Sequence, residues 1–132
     1  MKNSSIKKII NAPISIGELV DKITILEIKK NKFQNSKLEN VLKELSYLRE
    51  LMEKHQIEIT DNLFTQLKEI NLKLWNIEEQ IRIKEKNKEF DNIFIELARS
   101  VYFKNDKRAE IKKRINRLSN SEITEEKSYS EY

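Results

Sequence analysis

Five residues near the middle of the chain, Asn71, Trp75, Glu78, Arg82 and Glu85, are spaced by four and three. On a helix turning about 100° per residue they stay within about 80° of one another. They run beside an apolar stripe of Leu63, Leu67, Ile70, Leu74, Ile77 and Ile81, not opposite it. Polar groups at the edge of a core need partners, because an unpaired buried charge is costly. Two readings are open. The line is a row of i,i+4 ion pairs at the rim of a bundle, with Glu78 and Arg82 foremost. Alternatively, Glu78, Arg82 and Glu85 line a pocket with Trp75 as its apolar wall.

A second group lies in SVYFKNDKRAEIKKRIN, Ser100 to Asn116. Lys is common along the whole chain, whereas Arg occurs only at 49, 82, 99, 108, 114 and 117. A guanidinium grips carboxylate or phosphate through two parallel hydrogen bonds, so the scarce arginines are the more informative cations. Asn105 and Asp106 are of the type that caps a helix, and a helix N-terminus flanked by Arg99 and Arg108 would bind an anion. Lys112 follows Arg108 by one turn, and Asn116 comes next on that side. Together these residues suggest an anionic small molecule held by Arg82, Arg99, Arg108, Asn105 and Lys112. Trp75 and Tyr102 would close the apolar side, and Glu78 or Asp106 would serve as acid–base candidate if chemistry occurs.

Helices must position these groups. One Gly and one Pro in 132 residues leave little material for tight turns, and the apolar spacing is helical throughout. The fold expected is all-α, a single-domain antiparallel bundle of about five helices spanning 1–132. Residues 1–12 read as a loose lead-in and 119–132 as a polar tail. Ser15 with Glu18 forms a capping box after Pro13, and Ser36 with Glu39 a second. Thr60 or Asp61 caps a third helix that runs from about Asn62 to Lys86. A fourth, with Phe90, Ile93, Phe94, Leu97, Ala98 and Val101 as core, ends near Lys104. A fifth starts at Asn105 or Asp106 and carries Ile111, Ile115 and Leu118.

Other function classes find little support. The absence of Cys removes disulfides and thiolate metal sites, which suits a cytoplasmic protein. No stretch suits a secretion signal or a membrane span. The single His55 ends a helix, and no glycine-rich phosphate loop is present. Glu78, Glu79, Glu85 and Asp91 could be pictured around Mg²⁺. However, the EE-x-x-E and later E-x-x-D pattern of helical nucleotide pyrophosphohydrolases fails at Arg82, so no metal site is assigned. The net charge of +4 and pI near 9.2 raise nucleic acid, but the cations of 104–117 point all around a helix and no known binding motif accompanies them.

PISIGELVDKITILEIK, LWNIEEQIR, FDNIFIELARSVYFKNDKRAEIKKRIN and the closing EEKSYSEY closely resemble a family of small uncharacterised helical proteins of bacteria and marine phages. The likeness runs from Ala12 to Tyr132. The family pattern repeats Glu18, Asp21, Lys22, Glu78, Arg82, Arg99, Tyr102, Asn105, Asp106 and Arg108, and also Glu125 to Tyr129. That implies an ordered tail, where composition suggests a loose one. Some members are encoded near surface-polysaccharide enzymes, which hints at context; the anionic small molecule expected is of the kind of a phosphorylated sugar or nucleotide sugar. The resemblance supplies no reaction, and it leaves the cofactor unknown. The competing expectation is a non-enzymatic interaction module, a homo-oligomer joined through the wide apolar face of the first helix.

Overall fold

The computed structural model describes residues 6–132. Among them are four α-helices and no strand: α1 (Ile16–Lys32), α2 (Asn35–Lys54), α3 (Asp61–Lys86) and α4 (Asn92–Leu118). The all-α class stands, but the count is four. The expected fourth and fifth helices are one, because Asn105 and Asp106 lie inside α4. Phe94, Leu97, Val101, Arg108, Lys112 and Ile115 advance in steps of three, four or seven across those two residues. A cap-forming residue does not end a helix whose periodicity continues in phase, so the anion-binding N-terminus expected there does not exist.

Ser15 and Thr60 cap their helices as the sequence signals, and Asp91 caps a third. Ser15 Oγ accepts from the Glu18 N–H at 3.0 Å, Thr60 Oγ1 from Leu63 at 3.3 Å and Asp91 Oδ1 from Phe94 at 3.0 Å, each satisfying an otherwise orphaned donor. α2 departs from expectation. Its N-cap is Gln34 with no side-chain bond, and Asn35 enters at φ 58°, so the Ser36–Glu39 box does not form. Asn tolerates this left-handed region better than most residues. With no glycine at these positions, α2, α3 and α4 end on Gln56, Lys88 and Asn120 at φ 52°, 56° and 59°. The following N–H groups close back on Met52, Lys84 and Asn116 carbonyls at 2.9–3.0 Å, which is the Schellman arrangement.

α1 is the central helix. Leu19, Ile23 and Leu26 pack with Val41 and Leu45 of α2. Val20 packs with Leu63, Leu67 and Ile70 of α3 and with Ile111 and Ile115 of α4. Its wide apolar face is therefore consumed within the molecule and does not form the subunit contact expected of it. α3 and α4 form an antiparallel hairpin that the core supports at one end only. From Leu72 to Glu110 no residue is buried. Phe90, Ile93, Phe94, Leu97, Ala98 and Val101, expected as core, are all half-buried or exposed, with Phe90 at 55% and Ile93 at 60%.

Residues 6–12 of the lead-in carry no helix and are exposed, while Met1 to Ser5 lie outside the described residues. The tail after Asn120 has no regular structure, yet it returns along α4. The Tyr132 ring sits 4.9 Å from Tyr102 and 4.6 Å from Phe103, so the tail's composition misleads about its placement.

Candidate functional site

Among the described residues, the most buried polar groups join α1, α3 and α4. Asp21 sits among Leu19, Val20, Ile23 and Thr24 and is fully buried. Arg108 reaches it from α4 with a forked grip, Nε donating to Oδ1 at 2.9 Å and Nη2 donating to Oδ2. Asn71 Nδ2 donates to Asp21 Oδ1 at 2.9 Å and to Thr24 Oγ1 at 2.8 Å. The Thr24 hydroxyl in turn donates to the Asp21 carbonyl at 2.7 Å. Burial alone would raise the Asp21 pKa, but the hydrogen bonds from Arg108 and Asn71, with the charges of Arg108 and Lys112, outweigh it and hold the carboxyl below 3.8. The Arg108 guanidinium is raised above its ordinary value, chiefly by its hydrogen bond to Asp21.

One turn away, buried Lys112 donates to Glu18 Oε2 at 2.6 Å and lies 3.6 Å from Glu125 of the tail. Asn116 Oδ1 accepts the Gly17 N–H at 2.6 Å, and Ser121 Oγ accepts the Ile16 N–H at 3.0 Å. The first turn of α1 is thus capped by α4 and the residues after it, leaving its dipole no room for a ligand. This close approach explains the position of the chain's one glycine. A Cβ at Gly17 would stand 2.6 Å from the Lys112 carbonyl oxygen and 2.9 Å from Asn116 Oδ1. No buried side-chain polar atom among the described residues lacks a partner. The network is a clamp whose charges are already matched.

Beside the clamp, α4 and the returning tail enclose an open groove of about 1260 Å³. One wall is α4, with Ala98, Val101, Tyr102, Asn105, Asp106 and Arg108 in its lining; the other is the tail, with Lys127, Tyr129 and Tyr132. Glu110, Lys113 and Glu131 complete its charged rim. Tyr132 donates its phenolic hydrogen to Asp106 Oδ2, and that carboxylate is the main reason the phenol is pushed up to about 12. Arg108 also reaches towards Asn105 Oδ1, through Nη1 at 3.5 Å. Lys113 and Lys127 have only loose partners, Glu126 at 3.9 Å and Glu125 at 3.7 Å.

Of the residues expected to share a site, Tyr102, Asn105, Asp106 and Arg108 come together in this groove. The others do not. Glu78 and Arg82 form an exposed i,i+4 pair at 3.1 Å, and Glu85 pairs with Lys88 at 3.8 Å. Trp75 packs on Phe33 at 6.1 Å under the Lys32 ammonium, with its N–H donating to Glu79 Oε1 at 3.0 Å. The stripe on α3 is thus the rim of ion pairs, except that its first member, Asn71, belongs to the clamp. Arg99 is exposed beside Glu96 at 3.5 Å. Lys112 is occupied by Glu18 rather than facing the groove. Asp91 is a cap and pairs with Lys84 at 2.9 Å. Among the described residues, no group of three or more His, Asp or Glu is placed to hold a metal ion, and no helix is long and apolar enough to cross a membrane.

Sequence spacing missed the partnership of Asp21 with Arg108 and the groove role of Lys113, Lys127, Tyr129 and Tyr132. A signal for the first was present, since a carboxylate close to Val20 and Ile23 on a helix with so wide an apolar surface demands a cation. The second had none, because a tail without periodicity carries no facing direction.

Residues 10–132 match the model of a family of unknown function (DUF6165). No curated protein and no solved structure matches the chain.

Proposed function

The chain belongs to the DUF6165 family, and we propose that it binds a phosphorylated sugar or nucleotide sugar in the groove between α4 and the tail. The observation carrying this reading is the return of the tail over α4, which brings Tyr129, Tyr132 and Lys127 opposite Tyr102, Asn105 and Asp106. Tyrosine rings offer flat apolar faces and hydroxyls at once. Asn105, Asp106 and Glu110 can accept hydrogen bonds from sugar hydroxyls. Lys113 and Lys127 are the cations for the phosphate, because their loose, exposed pairings are worth little and exchange readily for a doubly charged partner. Arg108 contributes less than its type suggests, since Asp21 already neutralises it.

The mixed charge of the lining favours a ligand with a polyol part and an anionic part over a simple anion. Asp106 remains the acid–base candidate within reach of such a ligand. The test is thermal melting and isothermal titration against hexose phosphates and nucleotide sugars, beside Lys113→Ala/Lys127→Ala. A ligand at 100 times its Kd should stabilise by about 2.7 kcal/mol, or about 10 °C for a domain of this size. The double variant should lose that gain while melting unliganded like the parent. A panel with no response, or a response the double variant keeps, would remove the reading.

A further inference from the structure

The α3–α4 hairpin presents an unfinished core. Thirty-nine consecutive residues, 72 to 110, include no buried position, although their apolar spacing is that of core-forming helices. Large members are exposed: Ile83 is 59% accessible, Phe90 55% and Ile93 60%. Two helices make a single layer, and a single layer cannot enclose an apolar stripe. A second layer is needed. α1 supplies it at the end near Asn71 and Ile111, where Val20 meets both helices. Nothing in the described chain supplies it at the other end.

We infer that a second copy of this chain covers the free half of the hairpin, the two hairpins packing across a two-fold axis into a four-helix bundle. The charge of the arm selects this occupant. From Leu72 to Val101 there are six Lys or Arg and six Asp or Glu, so the net +4 of the chain resides entirely elsewhere. The two signs alternate closely, as in Glu78–Arg82, Lys88–Glu85 and Arg99–Glu96. A surface that is neutral and alternating meets itself without repulsion, which a two-fold contact requires because each patch faces its own copy. A strongly acidic or basic partner would find no complementary field there. Antiparallel helix pairs of this kind complete one another as bundles.

The face around Phe90 and Ile93 lies outside the groove lining, which begins on α4 at Ala98, so this contact is tested separately from the ligand proposed above. The test is sedimentation of the full chain from micromolar to submillimolar concentration, beside Phe90→Glu/Ile93→Glu. Both positions are more than half exposed, so the α1-centred core and its circular dichroism should survive the change. The wild type should sediment at twice 15.8 kDa with a concentration-dependent melting temperature, and the double variant as a monomer. A wild type monomeric throughout, or a dimer that survives Phe90→Glu/Ile93→Glu, would overturn the inference.

Discussion

Removing the guanidinium of the clamp should unfold the molecule several times more readily than removing any other arginine. In Arg108→Ala, Asp21 keeps Asn71 as a hydrogen-bond donor and Lys112 as a more distant cation, but loses both bonds of the fork. Its side chain is 1% accessible, while Arg108 is 26% accessible. Breaking a buried pair from one side costs about 3–5 kcal/mol, and the surviving partners place this case near the low end. At about 2.1 cal/mol/K per residue, unfolding 132 residues has an entropy near 0.28 kcal/mol/K, so about 3 kcal/mol lowers Tm by about 11 °C. The pH dependence gives an independent check. Asp21 is held below 3.8 in the folded wild type, so its contribution is fully present above 3.8 and is lost as pH falls through the folded value. In the variant, burial dominates and pushes Asp21 up, so protonation relieves the unpaired charge instead. The gap between wild type and Arg108→Ala should therefore be widest near neutral pH and narrow on acidification. Calorimetric melts across that range measure it. A variant melting within about 2 °C of wild type at neutral pH, or a gap unaffected by pH, would refute the argument that this pair is desolvated and matched.

Gly17→Ala should destabilise by about 1–3 kcal/mol or more, because the added methyl meets the Lys112 backbone at 2.6 Å and neither helix can yield without breaking the Gly17–Asn116 bond. Chemical denaturation would register this as a lowered midpoint, and a midpoint equal to wild type would show that α1 and α4 slide freely. Arg82→Ala should cost no more than about 0.5 kcal/mol, since Arg82 is exposed and pairs only with Glu78 one turn away. It should leave any ligand-induced melting shift intact; a lost shift would return Arg82 to the binding site.

Much of the fold was legible in the sequence because it depends on local chemistry. Ser15 and Thr60 cap two helices where their spacing to the first apolar turn puts them, and a chain with one Gly and one Pro has few places to stop. Asn105 and Asp106 do not break α4, because the apolar phase runs unbroken through them. The Ser36 cap failed because Asn35 could adopt a left-handed backbone and begin α2 early. The division within the polar line on α3 was not readable. Asn71 and Arg82 have the same relation to the stripe, and only the length of α1 decides that one is enclosed and the other lies beyond its reach. The groove was legible from one side alone. Tyr102, Asn105, Asp106 and Arg108 line one wall on α4, but what stands opposite them is a segment with no period. Local sequence thus determined the helices, their caps and which face of each is apolar. Tertiary structure decided which charges were to be matched in the core and which left in water, because that depends on where a neighbouring helix ends.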